Sequence, residues 1–245
     1  PTANRAVALG VVIGALAREG RDKLTLVVDA PIDGFGAWAE QLVAESTGKH
    51  GVGVVPVDGE LLGAVAEYQD DRLFVRISLD GGRPPVAADG NSVGTRLNEL
   101  AAAGHPVIEL SLSDPIDLGG EFMRWEIATA IAGVVLGINP FDEPNVTESK
   151  NNTVAVLGEL AAAGRLPELA PKAVDGALQI WVDNALPAAF SDDAVKLVVG
   201  QLQRLAPRGY VGIHAYIATT PERTAALTSL RLLLRDATHR ATTVG

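Results

Sequence analysis

The chain of 245 residues has no cysteine. Disulfide frameworks, thiolate metal sites and a thiol nucleophile are therefore excluded, and a cytoplasmic setting is the expected one. Aromatic residues are scarce at 4%, and positive charge is in deficit: 20 Lys and Arg stand against 30 Asp and Glu, a formal net charge of -10. The basic residues are scattered along the chain. Nucleic acids and anionic membranes bind through concentrated positive charge, so neither is an expected partner. Long apolar runs are also lacking: nothing approaches the roughly 20 residues that span a bilayer, and Pro1-Thr2-Ala3-Asn4 shows no basic stretch ahead of an apolar core.

What the chain does have is aliphatic bulk. With 47% hydrophobic residues it is long enough to bury one large α/β core or two smaller ones. Apolar β-branched runs alternate with stretches of helical periodicity, the pattern of βαβ units around a parallel sheet. Strands are expected at residues 24–28, 53–57, 73–77, 107–112, 179–182 and 211–217, and helices at 4–18, 35–46, 92–103, 122–136, 144–163, 192–205 and 221–239. Gly20 and Gly104 follow helices, Ser191 with Asp192 opens one, and Thr220-Pro221-Glu222 opens the last. The expected fold class is α/β, a three-layer sandwich with a mostly parallel, Rossmann-like sheet, followed by a βαβα extension. Gly81-Gly82-Arg83-Pro84-Pro85 interrupts regular structure, and Gly164-Arg165-Leu166-Pro167 with Pro171 marks the better boundary. The division read from it is a main domain over 1–166 and an extension over 167–245, continuing the same sheet or forming a small attached subdomain.

Two segments hold groups able to do chemistry. In the first, Trp38, Gln41, Leu42 and Glu45 are spaced by three and four, which puts them on one helical face with Glu45 at the helix end, before Ser46-Thr47-Gly48-Lys49. A carboxylate facing the strand ends of an open α/β sheet is where such folds build sites. A solvated Glu45–Lys49 pair at i,i+4 has the same spacing. In the second segment an apolar helix ends at Gly137, the turn Asn139-Pro140-Phe141-Asp142-Glu143 follows, and Pro144 starts a helix that reaches Lys150 two turns on. Asp142 and Glu143 are a metal-ligand type, but ahead of a helix they read as capping and dipole-complementing carboxylates. Lys150 by pattern alone is a surface lysine.

Taken together the two segments resemble the glucose-6-phosphate isomerase family. Gln41, Glu45, Ser46, Gly48 and Lys49 match the family's base motif, and Asn139, Phe141, Asp142, Val146 and Lys150 match its C-terminal signature. The wording of residues 40–56 and 125–150 is similar to the isomerase part of bacterial transaldolase and isomerase fusions. The resemblance is strong over residues 4–150 and weaker but continuous to Gly245. Glu143 stands where the family has Gln, Asn145 where it has Gly, and His50 is unexpected.

The resemblance implies a sugar-isomerase (SIS-like) fold and, in glycolysis and gluconeogenesis, interconversion of glucose 6-phosphate and fructose 6-phosphate through a cis-enediol. It implies Glu45 as the proton-moving base, Lys150 as the second catalytic group, Gln41 and Lys49 as substrate-binding residues, a sugar phosphate as partner, and no cofactor or metal. The family also uses a His. None of His50, His105, His214 and His239 lies in the matching motif, so that segment is expected beyond the C-terminus. The Ser/Thr phosphate anchor is expected in a sugar-isomerase domain before Pro1. The expected object is thus an incomplete piece of a longer polypeptide, inactive when isolated, and a possible homodimer. A non-catalytic sugar-phosphate-binding module of the same fold is the alternative. Gly51-Val52-Gly53 lacks the third glycine of a dinucleotide fingerprint, and there is no Gly-x-Ser-x-Gly elbow or paired-His metal spacing.

Overall fold

Asn4 opens the first helix: its Oδ1 accepts the N–H groups of Ala6 (2.9 Å) and Val7 (3.2 Å), satisfying donors that have no partner within the helix. In the computed structural model, which describes residues 4–166, 170–182 and 193–245, this helix is α1 (Arg5–Arg18). It leads into β1 (Lys23–Val28), α2 (Gly34–Thr47), β2 (Val55–Val57), β3 (Arg72–Leu79), α3 (Val93–Ala102), β4 (Val107–Leu112) and α4 (Leu118–Leu136). All four strands pair in parallel in the order β2-β1-β3-β4. β1 is an inner strand buried at all six positions, Lys23 and Thr25 included, as a parallel strand covered on both faces must be.

The helices take their sides from crossover handedness. The step from β1 to β2 runs one way across the sheet, and the steps from β2 to β3 and β3 to β4 run the other way. With right-handed connections the intervening segments must fall on opposite faces. Leu24, Leu26 and Val28 with Leu73, Val75 and Ile77 therefore pack under α1, α2 and α4 against Leu9, Ile13, Phe35, Val43 and Trp125. Each such side chain contributes about 1.5–3 kcal/mol by leaving water. The other face buries Val27 and Phe74 under Leu62, Tyr68, Leu97 and Leu100, the last two from α3. The result is an α/β fold of three layers with a parallel central sheet.

The described chain divides into two compact units. One is Glu143–Gly209, with α5 (Pro144–Ala163), β5 (Ala173–Asp175), β6 (Leu178–Ile180) and α6 (Ala194–Leu202). β5 and β6 form an antiparallel hairpin, and a small cluster of Ala173, Ala194 and Leu197 holds it to α6. The other unit joins the segment up to Asp142 with Tyr210–Gly245, that is β7 (Val211–Ile213), α7 (Pro221–Thr238) and β8 (Thr242–Val244), where β7 and β8 pair in parallel.

The order β6, α6, β7, α7 is the expected βαβα, but its two strands find other partners, β5 and β8, and neither joins the main sheet. Nor do the units follow the 1–166 and 167–245 division: the last segment belongs with the main sheet because α7 supplies Arg235 to the buried Glu60. The start at Pro1, the break at Pro167 and the helix opening at Ser191 and Asp192 lie outside the described residues. Asp193 caps α6, accepting the Lys196 N–H at 2.9 Å.

Candidate functional site

α2 leaves the carboxyl end of β1 and returns the chain to the amino end of β2, so its last turn lies at the amino edge of the sheet. α4 likewise follows β4 and ends at that edge. The end of α2 with Glu45 and the turn from Gly137 to Asp142 therefore sit at the amino edge. The strand ends that Glu45 stands by are thus the amino ends, because a right-handed β1-α2-β2 unit sends the C-terminus of its helix to the edge opposite the carboxyl-end crevice that open α/β sheets favour.

Gln41 and Glu45 are exposed on α2, and neither side chain has a hydrogen-bond or ion-pair partner among the described residues. Trp38 and Leu42, their neighbours on the helix, pack into the core instead; Trp38 meets Phe122 edge to face with ring centroids 4.5 Å apart. Below Glu45 the chain makes a tight reversal. The Gly48 N–H donates to Ala44 O at 2.9 Å, and Lys49 and Val52 exchange backbone hydrogen bonds of 2.8 and 2.9 Å. Thr47 Oγ1 donates to Val43 O (2.7 Å) and accepts the Val54 N–H (2.9 Å), tying the helix end to the approach to β2. His50 and Gly51 take left-handed backbone, φ 54° and 76°, which the reversal requires.

Lys49 points inward. Its side chain is 2% exposed, and its ammonium lies 2.9 Å from Asp142 Oδ1 and also donates to the Asp142 carbonyl. Asp142 is brought there by the turn after α4. Gly137 ends that helix with φ 76°, the Ile138 N–H donates to Gly133 O at 3.0 Å, and Asn139 Oδ1 accepts the Phe141 N–H at 3.1 Å. The Pro140 ring rests on Gly133, where a β-carbon would stand 3.0 Å from its Cδ.

The capping expectation for Asp142 and Glu143 is thereby replaced. Glu143 is the N-cap of α5 without a side-chain capping bond, and Asp142 pairs with Lys49. The Glu45–Lys49 pair does not form either, because the ammonium is spent on Asp142. Asp142 as a partner for Lys49 was missed; its only signal in the sequence is that each residue lies in one of the two motifs.

Lys150 is exposed on α5, in the unit Glu143–Gly209, and has no partner among the described residues. His105 is buried, edge-on to Phe74 at 5.6 Å, and burial lowers its pKa, as suits a strand-entry residue. Among the described residues no group of three or more His, Asp or Glu is placed to hold a metal ion, and no helix is long and apolar enough to cross a membrane.

A second cluster of ionisable groups lies where α7 meets the main unit. Glu60 Oε2 receives Arg72 Nη1 at 2.9 Å, and its Oε1 lies 3.1 Å from Arg235 Nη1 and 3.2 Å from the Tyr68 hydroxyl that donates to it. Nearby, Glu40 Oε2 accepts the Asp58 N–H at 2.9 Å. Burial, then the Glu40 charge, push the Asp58 carboxyl up to about 6.

No family model matches the chain. Among curated proteins it is similar to "Glucose-6-phosphate isomerase" of Leptospira biflexa serovar Patoc, 28% identical over 162 residues, covering 54% of this chain and 36% of that protein. The protein of the same name from Rubrobacter xylanophilus is 30% identical over 173 residues, covering 58% and 40%. That from Symbiobacterium thermophilum is 30% identical over 187 residues, covering 63% and 41%. The chain thus spans 36% to 41% of the length of these relatives. Among solved structures it is similar to a hypothetical protein from Thermus thermophilus, with 20% identity, a TM-score of 0.48, and coverage of 60% of this chain and 44% of that one.

Proposed function

We propose that this chain is the part of an aldose–ketose isomerase that carries its proton-moving carboxylate and a catalytic lysine, interconverting glucose 6-phosphate and fructose 6-phosphate. The observation that carries the reading is Glu45 itself. It is an exposed carboxylate with no partner to neutralise it among the described residues, at the end of a helix whose following turn is fixed on both sides. The relatives' name and the two motifs agree with that chemistry.

In the reaction the opened aldose loses its C2 proton to the Glu45 carboxylate while the C1 carbonyl oxygen gains a proton, giving a cis-enediol. Glu45 then returns its proton to C1 as the C2 hydroxyl gives up its own, and the ketose results. A base within reach of both carbons contributes on the order of 10²- to 10⁴-fold. The Lys150 ammonium stabilises negative charge developing on the enediol oxygens, and the Gln41 amide donates to a sugar hydroxyl. The phosphate anchor and the ring-opening His come from other segments of a longer polypeptide, so the chain alone does not turn over.

The test is solvent proton exchange at C2 in the longer protein. Glu45→Gln should lower exchange by about 10²-fold or more while sugar-phosphate binding changes little. Retained exchange would remove Glu45 from its role. Binding without any exchange in the unmutated protein would favour a non-catalytic sugar-phosphate module, and turnover by the isolated chain at the rate of the longer one would end the claim that the chain is incomplete.

A further inference from the structure

We infer that Lys49 is a positioning residue rather than a ligand of the sugar phosphate: through Asp142 it joins the helix end that carries Glu45 to the turn from which the chain runs on to Lys150. This rests on the isomerase reading above. A lysine that holds a substrate phosphate must present its ammonium to the incoming anion. The Lys49 side chain is 2% exposed, and two of the three ammonium protons are already engaged by the carboxylate and the carbonyl of a single residue. Asp142, by contrast, is 42% exposed on its other side, so the ammonium lies behind its partner and a phosphate would meet the Asp142 carboxylate first.

Both ends of this tether are stiff. On one side Lys49 stands one helical turn after Glu45, and no free residue separates them: Gly48 bonds back to Ala44, and Lys49 is clamped to Val52. A β-carbon on Gly53 would stand 2.9 Å from Gly48 Cα, so the two arms of the reversal touch at the backbone. On the other side Asp142 ends a turn seated on α4 through Pro140 and Gly133, with Asn139 closing it onto Phe141. A displacement of either segment is passed to the other across the two hydrogen bonds that the buried Lys49 ammonium gives to the Asp142 carbonyl and carboxylate, both charge-assisted and therefore stronger than neutral ones. The contact links residues 93 apart, one from each motif, and holds the helix end whose Glu45 carboxylate must be placed on the sugar for the reaction to be fast.

Lys49→Met and Asp142→Asn, singly and together, test this in the longer protein. Each single change should lower kcat about 10- to 100-fold, the scale of a catalytic group displaced by about 1 Å, with KM within about 3-fold. The double variant should be no slower than the worse single one, because both remove one interaction. Amide hydrogen exchange is the second readout: in Lys49→Met, residues 48–53 and 139–142 should lose protection together while β3 keeps its own. Should Lys49→Met not fold, Asp142→Asn carries both measurements, with loss of protection at 48–53 as its signature. A rise in KM alone for Lys49→Met, with Asp142→Asn behaving as wild type, would make Lys49 a substrate ligand and overturn the inference. So would additive effects, or unchanged exchange in the partner segment. If the unmutated protein has no isomerase activity, the functional reading fails and the exchange measurement still decides the tether.

Discussion

Arg235 reaches Glu60 across 175 residues of chain, with Nη1 3.1 Å from Oε1 and both side chains only 1% exposed. Burial alone would raise the Glu60 carboxyl, but the guanidinium groups of Arg72, Arg235 and Arg231 outweigh it and hold the group below the ordinary carboxylate range. Arg235 also donates to Leu61 O at 2.6 Å and to Glu67 Oε2 at 3.0 Å, so one side chain satisfies three acceptors of the loop between β2 and β3. Glu60 is left with Arg72 and Tyr68 if Arg235 is removed. Arg235→Met should therefore cost about 3–5 kcal/mol, the scale for breaking a buried ion pair from one side. Urea denaturation reads it, and a loss below about 1 kcal/mol would show that α7 is a dispensable cover.

Much of the fold was legible because its main elements are long and periodic. β1, β3, β4 and α5 follow from β-branched runs and from Pro144 with Gly164 at the helix ends. α4 begins at Leu118, four residues before the expected 122, because Gly119-Gly120 reads as a break yet sits comfortably in an exposed first turn. β5 and β8, three residues each, are too short for any period to register. At the site, the helix-end position of Glu45 follows from Gly48 and the spacing around it. Two features do not: the edge of the sheet, which depends on crossover direction, and the burial of Lys49, which depends on a partner 93 residues away. Pairings between distant charged residues, each ordinary in its own surroundings, leave no local trace.

α1 and α4 touch at the backbone, and glycine permits it. A β-carbon on Gly10 would stand 2.3 Å from Ala128 O and 2.8 Å from Ile131 Cβ, and one on Gly14 would stand 2.7 Å from Val135 Cβ. Glycine inside a helix ordinarily costs about 1 kcal/mol relative to alanine; here that cost is outweighed by close helix contact. Gly10→Ala should therefore destabilise, by about 1–3 kcal/mol from overpacking against rigid backbone. Gly119→Ala, in open space on α4, should instead gain about 0.4–1 kcal/mol. Thermal melts of the two variants should move in opposite directions; a stabilising Gly10→Ala would mean that the helices can separate at little cost.

Asp58 and Glu40 set a pH dependence opposite to that of Glu60. Asp58 lies so close to the first turn of α2 that a β-carbon on Gly36 would stand 1.9 Å from its Oδ1. Burial and the Glu40 charge raise its pKa from the ordinary 3.8 to about 6, against the Gly59 N–H and Arg231, which act to lower it; Glu40 is raised too, chiefly by burial. Between the unfolded and folded values of Asp58 the folded chain binds more protons, so its stability falls as pH rises through this range and stays reduced above about 6. Glu60 has the other sign: its lowered pKa contributes stability above the ordinary 4.5, lost as pH falls through the folded value. The Asp58 contribution thus favours the fold near about pH 5 over about pH 7.5, His105, whose pKa burial lowers, opposes it as pH falls below the ordinary 6.5, and the Glu60 contribution is lost in stronger acid. Asp58→Asn, which cannot ionise, should raise the melting temperature near about pH 7.5 and lose that advantage toward about pH 5, where the native carboxyl is itself largely protonated. A shift of equal size at both pH values would show that the variant acts through packing on Gly36 and not through the charge.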